Sequence, residues 1–386
     1  MRILLIIFLM IFSQQSFGQE MRIGLLRSLK VKQLSISQYQ GGYSIYGDTI
    51  RLSDLTKVTF FPVGNGVKVV LGNGTNFTFP KILVVQDTLN SSTKVKSVSP
   101  ASKLHYYRDN FEITNDNGRL RIVNLVDMNN YLGGVIESEG GGGRHIDYYK
   151  VQALMSRTYA MKNIDRHKKD GFSLCDGVHC QAYHNMLRHT PKIISAVEET
   201  QGEVIVDNRN RLISTYFAAN CGGQTCDASY VWNNSIPFAE SFVDTFCVHT
   251  RQARWEKTIP KVKWEQFIER EFGVNENLVG DLLYNFTQNQ RKAFYIHPSL
   301  GIPLRDLRSK FKLKSTFFST RLEGSNVIVE GRGFGHGVGL CQEGAMQMAN
   351  DGYSYRQIAY FYFSHVHIID YYRDQFFGQQ ANFITQ

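Results

Sequence analysis

Short runs of β-prone residues, separated by turn-forming glycines, dominate the first hundred positions. Met21 to Leu26, Gly42 to Tyr46, Val67 to Leu71 and Leu83 to Val85 predict strands, with Gly41-Gly42, Asn65-Gly66 and Asn73-Gly74 as the turns between them. Asn90 to Ser102, rich in Ser, Thr and Lys, reads as a loop and a domain boundary. Leu104 to Val126 then predicts two or three strands, with Asn115 to Gly118 as a hairpin turn. The period changes between Asp147 and Ile164, where Val151, Leu154, Thr158 and Met161 recur every three or four residues and predict a helix with one buried face.

Weaker helical signals cover Pro191 to Glu199, Trp264 to Phe272, Gln342 to Ala349 and Tyr355 to Tyr362. Val204 to Val206 and Ile213 to Ala218 read as strands paired around the turn Asp207 to Asn210, and Val327 to Val329 as a further strand. Strand signals outnumber helical ones and regular strand-helix-strand crossovers are few. The expected fold is mixed α+β, mainly antiparallel β with one principal helix and a β-rich N-terminal part. The expected organisation is a signal peptide at 1–18, a small β-rich domain at 19–102, and a larger domain at 103–386 carrying a mixed insertion near 261–310.

The signal-peptide expectation rests on Arg2, the apolar run Ile3 to Phe12 and the small-residue exit Ser16-Phe17-Gly18. That run is half the roughly 20 residues a bilayer-spanning helix needs, and no cysteine closely follows it to take a lipid. The expected destination is outside the cytosol: periplasm, cell envelope or extracellular space. Lys and Arg exceed Asp and Glu by 43 to 34, a balance that favours anionic polymers. No dense basic block interleaved with rings appears, so nucleic acid is not the expected partner. Six cysteines in 386 residues are too few to staple the chain and suggest a local device.

Four segments carry chemistry. Tyr131 to Gly143 holds Glu137 and Glu139 beside four consecutive glycines. Read as an extended loop, it would point both carboxylates the same way, so that one pKa rises toward general-acid use, while the helix that follows would favour the ionised form. A solvated loop is the bland alternative. Cys175-Asp176-Gly177-Val178-His179-Cys180 offers three zinc-type ligands within six residues, with His167, His184 or a distant cysteine as a fourth; a Cys175–Cys180 disulfide competes. Cys221-Gly222-Gly223-Gln224-Thr225-Cys226 reads as a tight turn or a disulfide-held loop. Gly331 to Leu340 sets His336 between glycines, without the residues of a phosphate-binding loop.

Taken together, the four segments resemble the stage II sporulation protein D / amidase-enhancer family. The resemblance is carried by Tyr131 to Glu139, by Lys150, Gln152, Ala153, Arg157, Thr158, Tyr159 and Ala160, by Cys175 to Gln181, by Cys221 to Thr225 and by Gly335 to Ala345. It implies a lytic transglycosylase acting on peptidoglycan glycan strands, with Glu139 as the acid/base and no cofactor required for the chemistry. Lys150, Gln152, Arg157, Tyr159, Gln224, His336 and Gln342 are its implied substrate-groove or groove-support residues. Cys175, His179 and Cys180, with His167, are the implied ligands of a structural zinc. A non-catalytic role enhancing a cell-wall amidase is the alternative, and a monomer is expected. Gly140-Gly141 stands where the family usually has Met-Pro, and Cys226 and Cys341 are expected to bridge to each other or to Cys221.

Overall fold

The computed structural model describes residues 19–372; the expected signal peptide lies outside them. Two compact units divide at Tyr131/Leu132. The first is all β. Its strands are β1 (Glu20–Leu25), β2 (Gln33–Gln40), β3 (Tyr43–Gly47), β4 (Ile50–Asp54), β5 (Lys57–Val63), β6 (Gly66–Val70), β7 (Asn76–Phe79), β8 (Lys81–Gln86), β9 (Ser92–Ser99), β10 (His105–Arg108), β11 (Asn110–Asp116) and β12 (Arg119–Asp127). They form two antiparallel sheets, ordered β1-β12-β11-β8-β3-β4 and β10-β9-β2-β5-β6-β7. Burial alternates along β2, β5, β8 and β11, as a pleat with one face on a core requires. Ile23, Leu34, Ile36, Phe60, Val69, Ile82, Val84, Phe111 and Ile113 are among the residues that fill that core.

The structure moves the expected boundary near 102. Residues 105–127 stay in the first unit because β10 pairs with β9, β11 with β8 and β12 with β1. The Ser/Thr-rich stretch expected as a loop contains β9, whose polar side chains Ser92, Thr93 and Ser97 are themselves buried.

Helix α1 (Met128–Gly140) opens where Asp127 Oδ1 accepts from the Asn129 N–H at 2.8 Å and the Asn130 N–H at 3.4 Å. In the second unit, α2 (Ile146–Lys162) is the longest helix among the described residues. The sequence predicts one buried face here; twelve of its residues are buried, on all sides. A short strand β13 (Leu174–Cys175) follows it in the chain, and its wrapping includes α3 (Lys192–Glu199), β14 (Glu203–Asp207), α8 (Gln342–Asn350) and α9 (Tyr355–Tyr362). Strand β14 pairs along its length with β20 (Val366–Asp370), and meets the expected partner beyond the 207–210 turn only through the Val206–Leu212 bridge and the Ile213 N–H donating to the Ile205 carbonyl at 3.2 Å. That stretch is mostly irregular and forms only β15 (Phe217–Ala218), parallel to β19 (Leu340–Cys341).

The insertion is larger than expected and brings its own sheet. After the single turn α4 (Ser229–Trp232), β16 (Arg254–Pro260), α5 (Lys261–Phe272), a turn α6 (Glu276–Val279), α7 (Leu304–Lys310), β17 (Phe318–Glu323) and β18 (Asn326–Arg332) follow. The strands are ordered β16-β18-β17. Trp264, Tyr284, Tyr295, Leu307 and Val329 build a separate core against them.

Arg157, an expected groove residue, is buried and binds α2 to its neighbours. Nη1 donates to the carbonyls of Thr200 (2.6 Å) and Glu203 (3.2 Å), and Nη2 to that of Val197 (3.1 Å). Hydrogen bonds to a charged group are worth about 1.5–3 kcal/mol each, less than additively. Arg157→Met is therefore expected to lower unfolding stability by about 3 kcal/mol in urea titrations, while the folded fraction keeps its ligand affinity.

Candidate active site

Tyr131 to Gly140 is helix, not the extended loop that its glycines suggest. Tyr131, Leu132, Val135 and Ile136 are fully buried at helical spacing, and this stripe overrides the low propensity of Gly133 and Gly134. The helix stops where Gly141 takes φ +66° and its N–H returns to the Glu137 carbonyl at 3.1 Å. On a helix, residues two apart diverge by about 200°, so Glu137 and Glu139 do not share a face. The two oxygens of Glu137 accept from the N–H groups of Arg188 (2.9 Å) and His189 (2.8 Å), a structural clasp on that loop.

Glu139 faces a cavity of about 560 Å³ in the second unit. Its Oε1 accepts from the Ala182 N–H at 2.9 Å, and Oε2 has no hydrogen-bond partner among the described residues. Burial pushes its pKa above the ordinary value of 4.5, and the Ala182 bond opposes the rise only in part. Its place in the last turn of α1 acts in the same direction as burial, because a helix C-terminus disfavours an anion. The expectation that a helix N-terminus would stabilise the charge is thus reversed.

The opposite wall is aromatic. Tyr216 and Trp232 have ring centroids 4.5 Å apart, and Trp232 and His336 lie 5.2 Å apart. The His336 Nδ1 accepts from the Val338 N–H at 3.0 Å, and burial holds this imidazole down at about 4, so it is neutral at physiological pH. Tyr159, its hydroxyl paired with Arg166, is raised to about 12, chiefly by burial, and stays protonated. Asn163 and Arg166 extend the same face of the chain past Tyr159 to the cavity. The sequence reading missed Asn163, Arg166, Tyr216 and Trp232; the spacing Tyr159, Asn163, Arg166 was the available signal for two of them.

Of the residues expected in the groove, Tyr159 and His336 reach the cavity with Glu139. Lys150 instead pairs with Glu199 Oε2 at 2.6 Å, joining α2 to α3. Gln152 is fully buried with both amide atoms unpaired, and Gln342 is buried with Nε2 unpaired. Gln224 accepts from the Arg291 N–H at 2.9 Å and donates to Ser241 Oγ at 3.1 Å, tying its loop to the insertion. Lys150, Gln152, Arg157, Gln224 and Gln342 thus frame the site without lining it.

His167, Cys175, His179 and Cys180 converge beside the cavity, their ligand atoms within 4.8 Å of one another. Cys180 Sγ is 3.4 Å from His167 Nε2 and 3.6 Å from His179 Nδ1, and Cys175 Sγ is 3.8 Å from His179 Nδ1. A tetrahedral zinc shell, with bonds of about 2.3 Å to sulfur and 2.0 Å to nitrogen, has S···N edges of roughly 3.6 Å. Asp170 Oδ2 lies 2.9 Å from His167 Nδ1, and Nε2 faces the Cys180 thiol. The Cys180 thiol, the Gly177 N–H and His179 hold the Cys175 thiol low against its burial. All six cysteines are free, and Cys226 sits apart with its thiol on the Asp227 carbonyl at 3.4 Å, so the expected bridges involving Cys226 and Cys341 are not formed.

Residues 116–206, which span α1, α2 and this Cys/His loop, match the family described as "Stage II sporulation protein". Stage II sporulation protein D of Bacillus subtilis is 27% identical over 264 residues, covering 62% of this chain and 74% of the relative. Residues 116–206 carry a stage II sporulation protein-type segment, and over a longer stretch the chain is similar to stage II sporulation protein D and to the amidase enhancer. An uncharacterized protein of Brachyspira hyodysenteriae is 28% identical over 262 residues, 67% of this chain and 70% of the relative. The amidase enhancer of Bacillus subtilis is 25% identical over 289 residues, 60% of this chain but 39% of the relative.

The packing of α1 sets where Glu139 stands. A Cβ at Gly134 would lie 2.3 Å from the Asn185 carbonyl oxygen and 2.6 Å from Tyr183 Cε2. Alanine would gain about 1 kcal/mol of helix propensity, against an overpacking cost of about 1–3 kcal/mol at a backbone atom that cannot turn away. Gly134→Ala is expected to lower the thermal midpoint, and Gly133→Ala, which meets only the Leu187 side chain at 3.2 Å, to lower it less.

Proposed function

We propose that this chain is an exported lytic transglycosylase of peptidoglycan, acting at the β-1,4 bond between N-acetylmuramic acid and N-acetylglucosamine in peptide-stripped strands. The observation that carries the reading is that Glu139 is the single acidic residue lining the aromatic cavity among the described residues, and that it is poised to hold a proton. Ordinary glycosidases use two carboxylates; one suffices where the sugar supplies its own nucleophile. Glu139 protonates the bridging oxygen as its bond to the muramic C1 breaks. The resulting carboxylate then takes the proton of the C6 hydroxyl as that oxygen bonds to C1, leaving a 1,6-anhydro end and a regenerated acid.

The Trp232 and Tyr216 faces suit the apolar faces of sugar rings, and Arg166 supplies positive charge for the muramic carboxylate. His167, Cys175, His179 and Cys180 would hold a structural zinc as a closed four-ligand shell. Bound there, the ion would fix the wall carrying His179 and Cys180 and the Ala182 N–H that steadies Glu139. The chemistry itself needs no cofactor. The working partners in this reading are glycan strands and an amidase that strips them.

Glu139→Gln is expected to cut the release of anhydro ends from denuded glycan by about 10²–10⁴-fold, read by mass spectrometry, with intact peptidoglycan a poorer substrate for the native chain. Native activity should fall as pH rises through a pKa above 4.5. The stability sign follows: a carboxyl raised in the folded state contributes stability that is lost as pH rises through the folded pKa. Glu139→Gln, permanently neutral, should therefore be at least as stable as the native chain at neutral pH. Strand binding with no cleavage by either form would overturn the catalytic reading and leave amidase enhancement, the role that one relative's name carries.

A further inference from the structure

A second set of soft ligands lies away from the cavity and takes no part in the proposed reaction. Cys221, Asp244, Cys247 and Cys341 are all buried, and their ligand atoms lie within 4.8 Å of one another. They come from three separate places in the chain: the Cys-Gly-Gly turn, the 244–247 loop and the residue that caps α8. Cys221 Sγ stands 3.4 Å from Cys247 Sγ and 3.2 Å from Asp244 Oδ2.

Three features point to a ligand. Asp244 is 0% exposed, and among the described residues no lysine, arginine or histidine pairs with it. Its partners are the Tyr362 hydroxyl at 2.9 Å, the Phe246 N–H at 3.0 Å and the Cys221 thiol. A buried carboxylate without a counter-charge is costly, and the nearby Arg291 spends an N–H on the Cys221 carbonyl at 2.6 Å. Backbone N–H groups also aim at sulfur: Cys221 N lies 3.2 Å and Gly344 N 3.4 Å from Cys341 Sγ, and Gly222 and Gly223 face Cys247. Such donors spread the negative charge of a thiolate-rich shell. Finally, the Tyr362 hydroxyl orients the carboxylate as an outer-shell partner does.

We propose that Cys221, Cys247, Cys341 and Asp244 form a second metal site, taking a thiophilic divalent cation of the zinc class through three thiolates and one carboxylate. The ion ties the Cys-Gly-Gly turn and the 244–247 loop to the start of α8. Asn220 beside it exchanges backbone hydrogen bonds with Phe334 (3.0 and 2.8 Å), two residues before His336, so the site braces the aromatic wall without touching substrate.

The test uses the full chain, prepared under reducing conditions with zinc supplied, and counts zinc per chain by native mass spectrometry and elemental analysis. Cys247→Ser and Cys341→Ser should each lose one equivalent relative to the native chain, Cys226→Ser none, and Cys175→Ser only the ion of the other cluster. Cobalt substitution of the Cys175→Ser chain should still give a sulfur-to-cobalt charge-transfer band, absent once Cys247 is also replaced. Because these variants can fail to fold, the native chain supplies a second reading. A chelator should speed alkylation of Cys221, Cys247 and Cys341 at least 10-fold, mapped by peptide mass. Unchanged zinc content in folded Cys247→Ser and Cys341→Ser, alkylation indifferent to chelator, or a Cys221–Cys247 disulfide in the unreduced exported chain would each overturn the site.

Discussion

The docking of α1 onto the 182–189 segment is the constraint on which the site depends. A helix bearing a functional carboxylate in its last turn must lie close enough to a neighbouring backbone for one N–H to reach that carboxylate, yet leave its other oxygen open. Gly134 allows the approach to Asn185, Glu137 fixes the loop through two backbone N–H groups, and Ala182 then meets Glu139. The three contacts lie along one helix and one loop, so a shift in any of them displaces the acid. This explains why two carboxylates so near in sequence serve different ends. The 3.6-residue period turns Glu137 to the loop, where two backbone N–H groups hold it, and Glu139 to the cavity.

The electrostatics of the cavity follow from the same geometry. Burial raises the Glu139 pKa and lowers that of His336, so both groups lean toward neutrality and the cavity does not hold an ion pair across its width. Had His336 been protonated beside Glu139, it would have favoured the carboxylate and weakened the acid. The arginines near the histidine act the same way as burial, since Arg308 and Arg291 disfavour a second positive charge. The fixed charge left among the described cavity residues is Arg166.

The chain's pattern made the strands of the first unit, α2 and the chemical motifs legible, because each has a short-range signature: β-prone runs between turns, a three-to-four spacing, ligands within six residues. Two kinds of feature escaped. Tyr131 to Gly140 suggests a loop from sequence because glycine marks turns in isolation, while the burial of Tyr131, Leu132, Val135 and Ile136 depends on partners far along the chain. Arg157 and Lys150 were read toward substrate because they sit in a motif with Tyr159, yet their α2 positions face α3 and the start of β14. A motif marks residues that matter together; helical phase decides which of them meet ligand and which hold the frame. Pairing partners such as β14 with β20, or Cys221 with Cys247 and Cys341, are set by tertiary contact and leave no local trace.

The segments between α2 and α3 and between β15 and β16 contain little regular structure, and long irregular stretches need fixing to hold a site. Both are fixed by points where several groups converge. In the first, His167 meets Asp170 through Nδ1 and Cys180 through Nε2. In the second, Asn220 Nδ2 donates to the Cys247 carbonyl (3.2 Å), Thr250 Oγ1 (2.8 Å) and Glu343 Oε2 (2.8 Å). Such hubs fix a loop at one atom, where a hydrophobic contact would leave it free to slide. The cost is that each hub buries polar groups whose loss leaves partners unsatisfied. Two soft-ligand clusters lie at these same loops, and a tetrahedral ion bound at either would fix four side chains at once.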